Sequence, residues 1–450
     1  MTVQTFPKDF TWGTATASYQ IEGAVNEDGR KLSIWDTFCR TPGKVFNGDT
    51  GDVACDHYHR WPDDIKLMQE LGIGAYRFSI AWPRVVPDGA GAVNARGLAF
   101  YDRLVDGLLA ARITPYVTLY HWDLPQTLED KGGWTNRATV DAFVAYAEVV
   151  AKKLGDRVKN WMTLNEPWVS AFLGYYLGIH APGARDLVKA VHASHHLLLA
   201  HGRAVPVLRA ASKDARVGIA LSLSPALPVT TSDADKAAAW RQDGYNNRWF
   251  LDPVFGLGYP KDMHDILGKH LPAGAAADVK EIGAPIDFLG VNYYFPAYMH
   301  DAPFSETPVG AVSLTPAELK KAGHELTAME WPVVPTQLAE LLLRLQRDYA
   351  PKAIYVTENG CAYDDKLVGG KVDDPRRIAY LDSHLRACAQ AIGAGAALRG
   401  YFLWSLMDNF EWAYGYGRRF GIVYTDYKTL ARIPKGSFAF YKGVIAQNGV

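Results

Sequence analysis

Short apolar runs and longer amphipathic stretches alternate along almost the whole chain. Eight runs have the length and pattern of strands: FTWGTATAS from Phe10, AYRFSIAW from Ala75, ITPYVTLYHW from Ile113 and VKNWMTLNEP from Val158, then VGIALSLS from Val217, IDFLGVNYY from Ile286, AIYVTENG from Ala353 and LRGYFLWSL from Leu398. Between them, segments such as DDIKLMQELG, GLAFYDRLVDGLLAA, VDAFVAYAEVVAKKLG and RRIAYLDSHLRACAQAI repeat apolar residues at i, i+3, i+4 and i+7, the helical spacing. Strand–helix alternation predicts a parallel sheet with right-handed crossovers, and eight units predict closure. The expected fold class is therefore α/β: a single (β/α)8 TIM barrel with extended βα loops, one domain over residues 1–450. An open doubly wound sheet is the alternative. It favours a glycine-rich phosphate turn after an early strand, and no G-x-G-x-x-G occurs here. The stretch around 301–330 has little periodicity and reads as a long loop on the active-site face.

Composition narrows the partners. Apolar residues make up 48% and charged residues 21% of the 450, with a formal net charge of −1, which is ordinary for a globular chain with ample core. No basic field is available to attract nucleic acid or an anionic membrane, so neither partner is expected. The opening MTVQTFPKDF lacks the basic start and apolar core of a signal peptide. No run approaches the ~18 apolar residues of a membrane span. Cys39, Cys55, Cys361 and Cys388 form no C-x-x-C pair, and free thiols in a reducing cytoplasm are the plainer expectation. A mature secreted chain would look the same. Aromatic residues reach 12%, with 13 Trp and 24 Tyr. Flat amphipathic rings suit either a large core or the faces of sugar rings.

Chemistry in such barrels gathers at the C-terminal ends of the strands. There the first run leads to Tyr19-Gln20, the third to His121-Trp122 and the fourth to Asn165-Glu166. The sixth ends in Asn292-Tyr293-Tyr294, the seventh in Glu358-Asn359 and the eighth near Trp404, followed by Glu411-Trp412. One such glutamate alone would read as a solvated loop carboxylate. Two, each directly after a buried-looking strand, point to function. Paired carboxylates suit glycoside hydrolysis: one protonates the leaving oxygen, the other attacks or stabilises the anomeric carbon, and their separation decides retention or inversion. Arg77, at the end of the second run, is a candidate cation beside Glu358, and Tyr294 a candidate donor to it. Both would favour the ionised form.

Five segments in order resemble glycoside hydrolase family one, the β-glucosidase family: FTWGTATASYQIEGA, TLYHWDLPQTLED, TLNEPW, YVTENG and WSLMDNFEWAYGYGRRFGIVYTD. The resemblance implies a retaining β-glycosidase acting through a covalent glycosyl-enzyme, a β-glucosidase above all, in carbohydrate metabolism and cellulose degradation. It implies Glu166 as acid/base and Glu358 as nucleophile. Asn165 would bond the sugar 2-hydroxyl, while Gln20, His121 and Glu411 would hold the other hydroxyls, beside Trp122. Trp404 would pack on the ring and Trp412 would support it. Asn292 and Tyr294 would line the site, Phe420 would stand near the 6-position, and Trp331 would sit in the aglycone region. One departure is Gln337, where the family commonly has glycine.

Other readings stay open at this stage. A 6-phospho-β-glycosidase would need groups facing a dianion, which Glu411 would repel. A non-catalytic sugar-binding barrel would be expected to have lost one carboxylate. His192, His195, His196 and His201 share a helical spacing that suits a metal, yet no carboxylate or cysteine set accompanies them, so no metal and no cofactor are expected. His57 and His59 are read as structural. The HE at 324–325 fails the zinc-protease pattern, because Ala328 stands where the second histidine belongs. The expected partner is a β-glycoside or oligosaccharide substrate. Association into oligomers stays open.

Overall fold

The computed structural model describes residues 4–450. Its centre is a closed barrel of eight parallel strands in sequential order: β1 (Thr11–Ala15), β2 (Ala75–Ser79), β3 (Thr114–Tyr120), β4 (Asn160–Asn165), β5 (Arg216–Ser222), β6 (Phe288–Asn292), β7 (Ile354–Asn359) and β8 (Leu398–Trp404). Closure comes from β1 pairing with both β2 and β8, with Ala15 opposite Arg77 on one side and Trp404 on the other. All eight expected strands are present. The helices that return the chain are α1 (His57–Leu71), α2 (Ala95–Ala110), α3 (Ala138–Leu154), α4 (Leu187–Ala211), α5 (Ala275–Ile282), α6 (Pro335–Tyr349), α7 (Pro375–Gly393) and α8 (Gly436–Gln447).

Local chemistry sets these ends. Proline opens α6 and α7, where its missing N–H costs nothing. Gly72 closes α1 in the left-handed region at φ +84°. Large and small side chains alternate inside the barrel: Tyr116, Met162, Phe288, Tyr355 and Phe402 fill it between Ala75 and Ala220. A second apolar layer joins the outer face of the strands to the helices. The barrel interior is therefore a packed core, and the cavity that concerns its chemistry lies above the strands' C-terminal ends.

The stretch read as a loop at 301–330 is corrected. It contains a strand, Ala311–Ser313, which pairs with Ala297–Asp301, and that strand pairs in turn with Ala226–Pro228. A short helix, Pro316–Lys321, follows, opened by a Thr315–Glu318 capping box. Strands of three residues carry no readable period, which is why the sequence concealed them. This small sheet rises from the end of β6 and walls one side of the barrel mouth. Among the described residues, no helix is long and apolar enough to cross a membrane.

Candidate active site

Glu358 lies within β7 and Glu166 directly follows β4. Both carboxyls are buried and face one cavity of about 340 Å³ at the barrel mouth. Arg77, nearly inaccessible in β2, donates from Nη1 to Glu358 Oε1 at 2.6 Å and to the Thr357 carbonyl at 3.0 Å. Its Nη2 donates to Asn165 Oδ1 at 2.5 Å. Tyr294 Oη donates to Glu358 Oε2 at 2.8 Å. Glu166 has a different shell: the neutral amide of Asn292 donates to its Oε1 at 2.8 Å and to Asn165 Oδ1 at 3.0 Å. Thr357 Oγ1 donates to Asn292 Oδ1 at 2.6 Å and fixes that amide's orientation. Neighbouring strand ends thus lock one another's side chains.

The electrostatics follow from these shells. Burial, then the charge of Glu358, pushes Glu166 up to about 8. Burial also raises Glu358, but the charge and hydrogen bond of Arg77 and the bond from Tyr294 oppose it. Glu166 therefore holds a proton at neutral pH more readily than its neighbour. Such a divergent pair can do acid and nucleophile work at once.

Glu411 and Trp412 lie in the long segment between β8 and α8. Burial, then the charges of Glu358 and Glu166, pushes Glu411 up to about 8. Gln20, in the short helix Ser18–Ile21 after β1, donates from Nε2 to Asn409 Oδ1, the Phe410 carbonyl and Glu411 Oε2 at 3.0, 2.8 and 3.3 Å. Its Oε1 is buried with no partner. His121 is held neutral by burial and by the charge of Arg77, well below its ordinary range, and its Nε2 lies 3.1 Å from the Asn165 amide. Amide, imidazole and carboxylate groups so arranged can read hydroxyls.

Aromatic rings build the walls. Trp404, at the end of β8, stacks against His121 with centroids 5.8 Å apart, and Trp412 packs on Trp122 at 4.5 Å. Trp331 meets Phe295, Tyr294 and Phe420 at 4.9, 5.2 and 6.0 Å. Trp122, Glu166 and Trp412 hold positive φ of 78, 47 and 50°. Left-handed backbone in such bulky residues stores strain, which these three lining residues carry at the cavity. Gly360 has a steric duty: a Cβ there would fall 1.7 Å from the Trp404 carbonyl oxygen, so only glycine lets β7 and β8 close.

Of the residues singled out in the sequence, His121, Trp122, Glu166, Tyr294, Trp331, Glu358, Trp404, Glu411, Trp412 and Phe420 line the cavity. Gln20, Arg77, Asn165 and Asn292 reach the same mouth from neighbouring strand ends and bond members of that lining. Gln337 sits in the first turn of α6 with its N–H on the Val334 carbonyl, and Trp331 still reaches the cavity. Trp168, Leu173, Ile179, His180, Ser222 and Met329 also line it and escaped the sequence reading. Trp168 was within reach, since it closes the quoted TLNEPW. Three of the four α4 histidines have structural partners: His195 meets Asp278 and Tyr259, His196 the Trp134 carbonyl and His201 Thr163. His57 pairs with Asp64, which Arg432 also holds.

Comparison with known proteins agrees with this geometry. The family model described as glycosyl hydrolase family 1 matches residues 2–450. The chain is 48% identical over 452 residues to β-glucosidase A of Thermotoga maritima, with 100% of both chains covered. It is 47% identical over 447 residues to the 1,4-β-D-glucan glucohydrolase of Thermotoga neapolitana, covering 99% of each. Among solved structures, the family 1 glycoside hydrolase of Thermotoga maritima complexed with a cyclophellitol-analogue transition-state mimic superimposes with a TM-score of 0.97 at 47% identity, over 100% of both chains. The chain belongs to glycosyl hydrolase family 1 and is a glycoside hydrolase.

Proposed function

We propose that the protein is a retaining β-glucosidase, releasing terminal non-reducing β-D-glucosyl residues from oligosaccharides and aryl or alkyl glucosides. The observation that carries this reading is the unequal support of two buried glutamates at one cavity. Arg77 and Tyr294 both bond Glu358, whereas a neutral amide holds Glu166. Relatives named for β-glucosides and 1,4-β-D-glucan support the glycone and the linkage.

In the first step a Glu358 oxygen forms a bond to the anomeric carbon. The glycosidic C–O bond breaks, and the Glu166 proton passes to the leaving oxygen. Breaking that bond leaves Glu166 ionised beside a neutral ester, so it becomes a base. In the second step it takes a proton from water, whose oxygen bonds the anomeric carbon as the ester bond to Glu358 breaks. Arg77 and Tyr294 stabilise the departing carboxylate. Gln20, His121, Asn165 and Glu411 hold the glycone hydroxyls. Trp404 packs on the ring, with Trp122 and Trp412 behind it, and Phe420 stands near the 6-position. Trp331 belongs to the aglycone side. The lining of the cavity holds no Lys or Arg to receive a 6-phosphate, which disfavours a phospho-glycoside substrate.

The whole chain is read as one catalytic unit. Four buried cysteines without a disulfide support a cytoplasmic setting. The test is a panel of 4-nitrophenyl glycosides with native enzyme and Glu358→Gly. Native enzyme cleaves the β-glucoside and spares the α-anomer. The variant is inactive until azide supplies a nucleophile, and then yields the α-glucosyl azide. Full activity of Glu358→Gly without azide would overturn the assignment.

A further inference from the structure

Gln20 and His121 come from different strands, yet one sugar must meet both. Gln20 sits in the short helix Ser18–Ile21 after β1, and His121 directly follows β3. Between them runs a buried chain of hydrogen bonds that the two chemical steps do not use. Ser18 Oγ donates to Asp123 Oδ2 at 2.6 Å, and Ser79 Oγ, at the end of β2, donates to Ser18 Oγ at 3.2 Å. The Ser18 N–H in turn donates to Ser79 Oγ at 2.7 Å. All three side chains are buried. Ser18 opens the helix that carries Gln20, and Asp123 follows the His121–Trp122 pair. The chain therefore joins the C-terminal ends of β1, β2 and β3, and two of its members anchor the segments of the two hydroxyl readers.

Asp123 also has strain to hold. Trp122 takes φ 78°, a left-handed backbone that persists in a bulky residue only where the surroundings over-determine it. On one side the Trp122 indole N–H is held by the Asn165 carbonyl at 3.0 Å, and on the other the Asp123 carboxyl is held by Ser18. The segment beyond is pinned to the chain before Ile34: the Ile34 N–H donates to the Leu124 carbonyl at 2.8 Å, and the Gln126 N–H to the Leu32 carbonyl at 2.9 Å. Burial, opposed by the Ser18 hydrogen bond and reinforced by the charge of Glu22, pushes the Asp123 carboxyl up to about 7. What the chain needs from Asp123 is thus an acceptor oxygen rather than a full charge.

We propose that Asp123 is a positioning residue: by accepting from Ser18 it fixes the Gln20 helix and the His121–Trp122 turn at the separation that one sugar requires. This rests on the functional reading above, in which Gln20 and His121 hold glycone hydroxyls.

The test is a double-mutant cycle on kcat/KM for 4-nitrophenyl β-glucoside, with Asp123→Ala, Gln20→Ala, His121→Ala and the two pairings of Asp123→Ala with a reader variant. Asp123→Ala alone lowers the value by about tenfold, the worth of one hydrogen bond. In a background that already lacks Gln20 or His121 the same change costs less than about threefold, because part of what it positions is gone. An effect independent of the readers would instead multiply through unchanged. Asp123→Asn, which keeps an acceptor oxygen toward Ser18, stays within about threefold of native. Ser18→Ala removes the donor, repeats the Asp123→Ala pattern, and carries the cycle where Asp123→Ala does not fold. An unaltered value in Asp123→Ala, the full cost in both backgrounds, or an Asp123→Asn as impaired as Asp123→Ala overturns the inference. Failure of native enzyme on the β-glucoside instead overturns the functional reading on which it rests.

Discussion

Tyr294→Phe removes one hydroxyl from the site and tests how Glu358 is kept ionised. The hydroxyl donates to an oxygen of the buried Glu358 carboxylate at 2.8 Å. A hydrogen bond to a charged group contributes about 1.5–3 kcal/mol. The whole of that favours the ionised form, because the neutral acid gains much less from the donor. One pKa unit corresponds to about 1.4 kcal/mol, so the Glu358 carboxyl moves up by roughly 1–2 units. The sign follows from the role. The reaction needs Glu358 ionised, so raising its pKa removes activity at low pH first. The acid limb of kcat/KM against pH therefore moves to higher pH by roughly 1–2 units. The basic limb, set by Glu166 at about 8, stays nearly in place and the profile narrows. The assay is hydrolysis of 4-nitrophenyl β-glucoside across the pH range in which the enzyme is stable, with the free-enzyme limbs read from kcat/KM. A uniformly lowered profile whose acid limb has not moved would refute the reasoning, because Tyr294 would then act on binding alone.

Glu166→Ala is expected to lose activity according to leaving group: roughly 10²–10⁴-fold on an alkyl glucoside that needs protonation, far less on a nitrophenyl glucoside, with the basic limb near 8 abolished. Steady-state rates on the two substrates, with their pH profiles, check this. Glu411→Gln keeps the size of the side chain and turns one of its two acceptor oxygens into a fixed donor. It should cut kcat/KM by about 10–100-fold for glucoside, through the hydroxyl hydrogen left without its acceptor, and much less for the 4-deoxy or 6-deoxy analogue whose hydroxyl the carboxyl holds. Lys435→Met tests the scaffold. The buried Lys435 ammonium bridges Asp365 at 2.5 Å and Asp408 at 2.7 Å, while Arg377 and Arg419 hold the same two carboxylates. Removing one cation from this buried network should cost about 3–5 kcal/mol, measured as a fall in the denaturant midpoint at constant slope.

The strands were readable because the barrel buries both their faces, which forces continuous apolar runs that end abruptly in polar residues. Glu166 and Glu358 stood out for the same reason, as charges directly after runs such as VKNWMTLN and AIYVT. Arg77 and Tyr294 were readable as partners of Glu358, but the rest of the network was not. Arg77 also serves Asn165 and the Thr357 carbonyl, and Thr357 orients Asn292 across a strand pair. Such bonds depend on register between strands far apart in sequence, which no local pattern encodes. The cavity lined by Gln242, Asn246 and Val312 escaped for a related reason. Gln242 lies at the end of the helix Asp233–Asp243, Asn246 in the helical turn Gly244–Arg248 and Val312 in a three-residue strand, and no motif marks the side of these short elements that faces inward.

The most direct test of the central claim is covalent. Incubation with 2-deoxy-2-fluoro-β-glucosyl fluoride slows both steps through the fluorine and spares the first through the leaving group, so a glycosyl-enzyme accumulates. Mass spectrometry of the intact protein and then of its peptides should find one sugar per chain, carried by the YVTENG peptide on Glu358. A label on any other residue, or full inactivation with no added mass, would contradict a double displacement through Glu358.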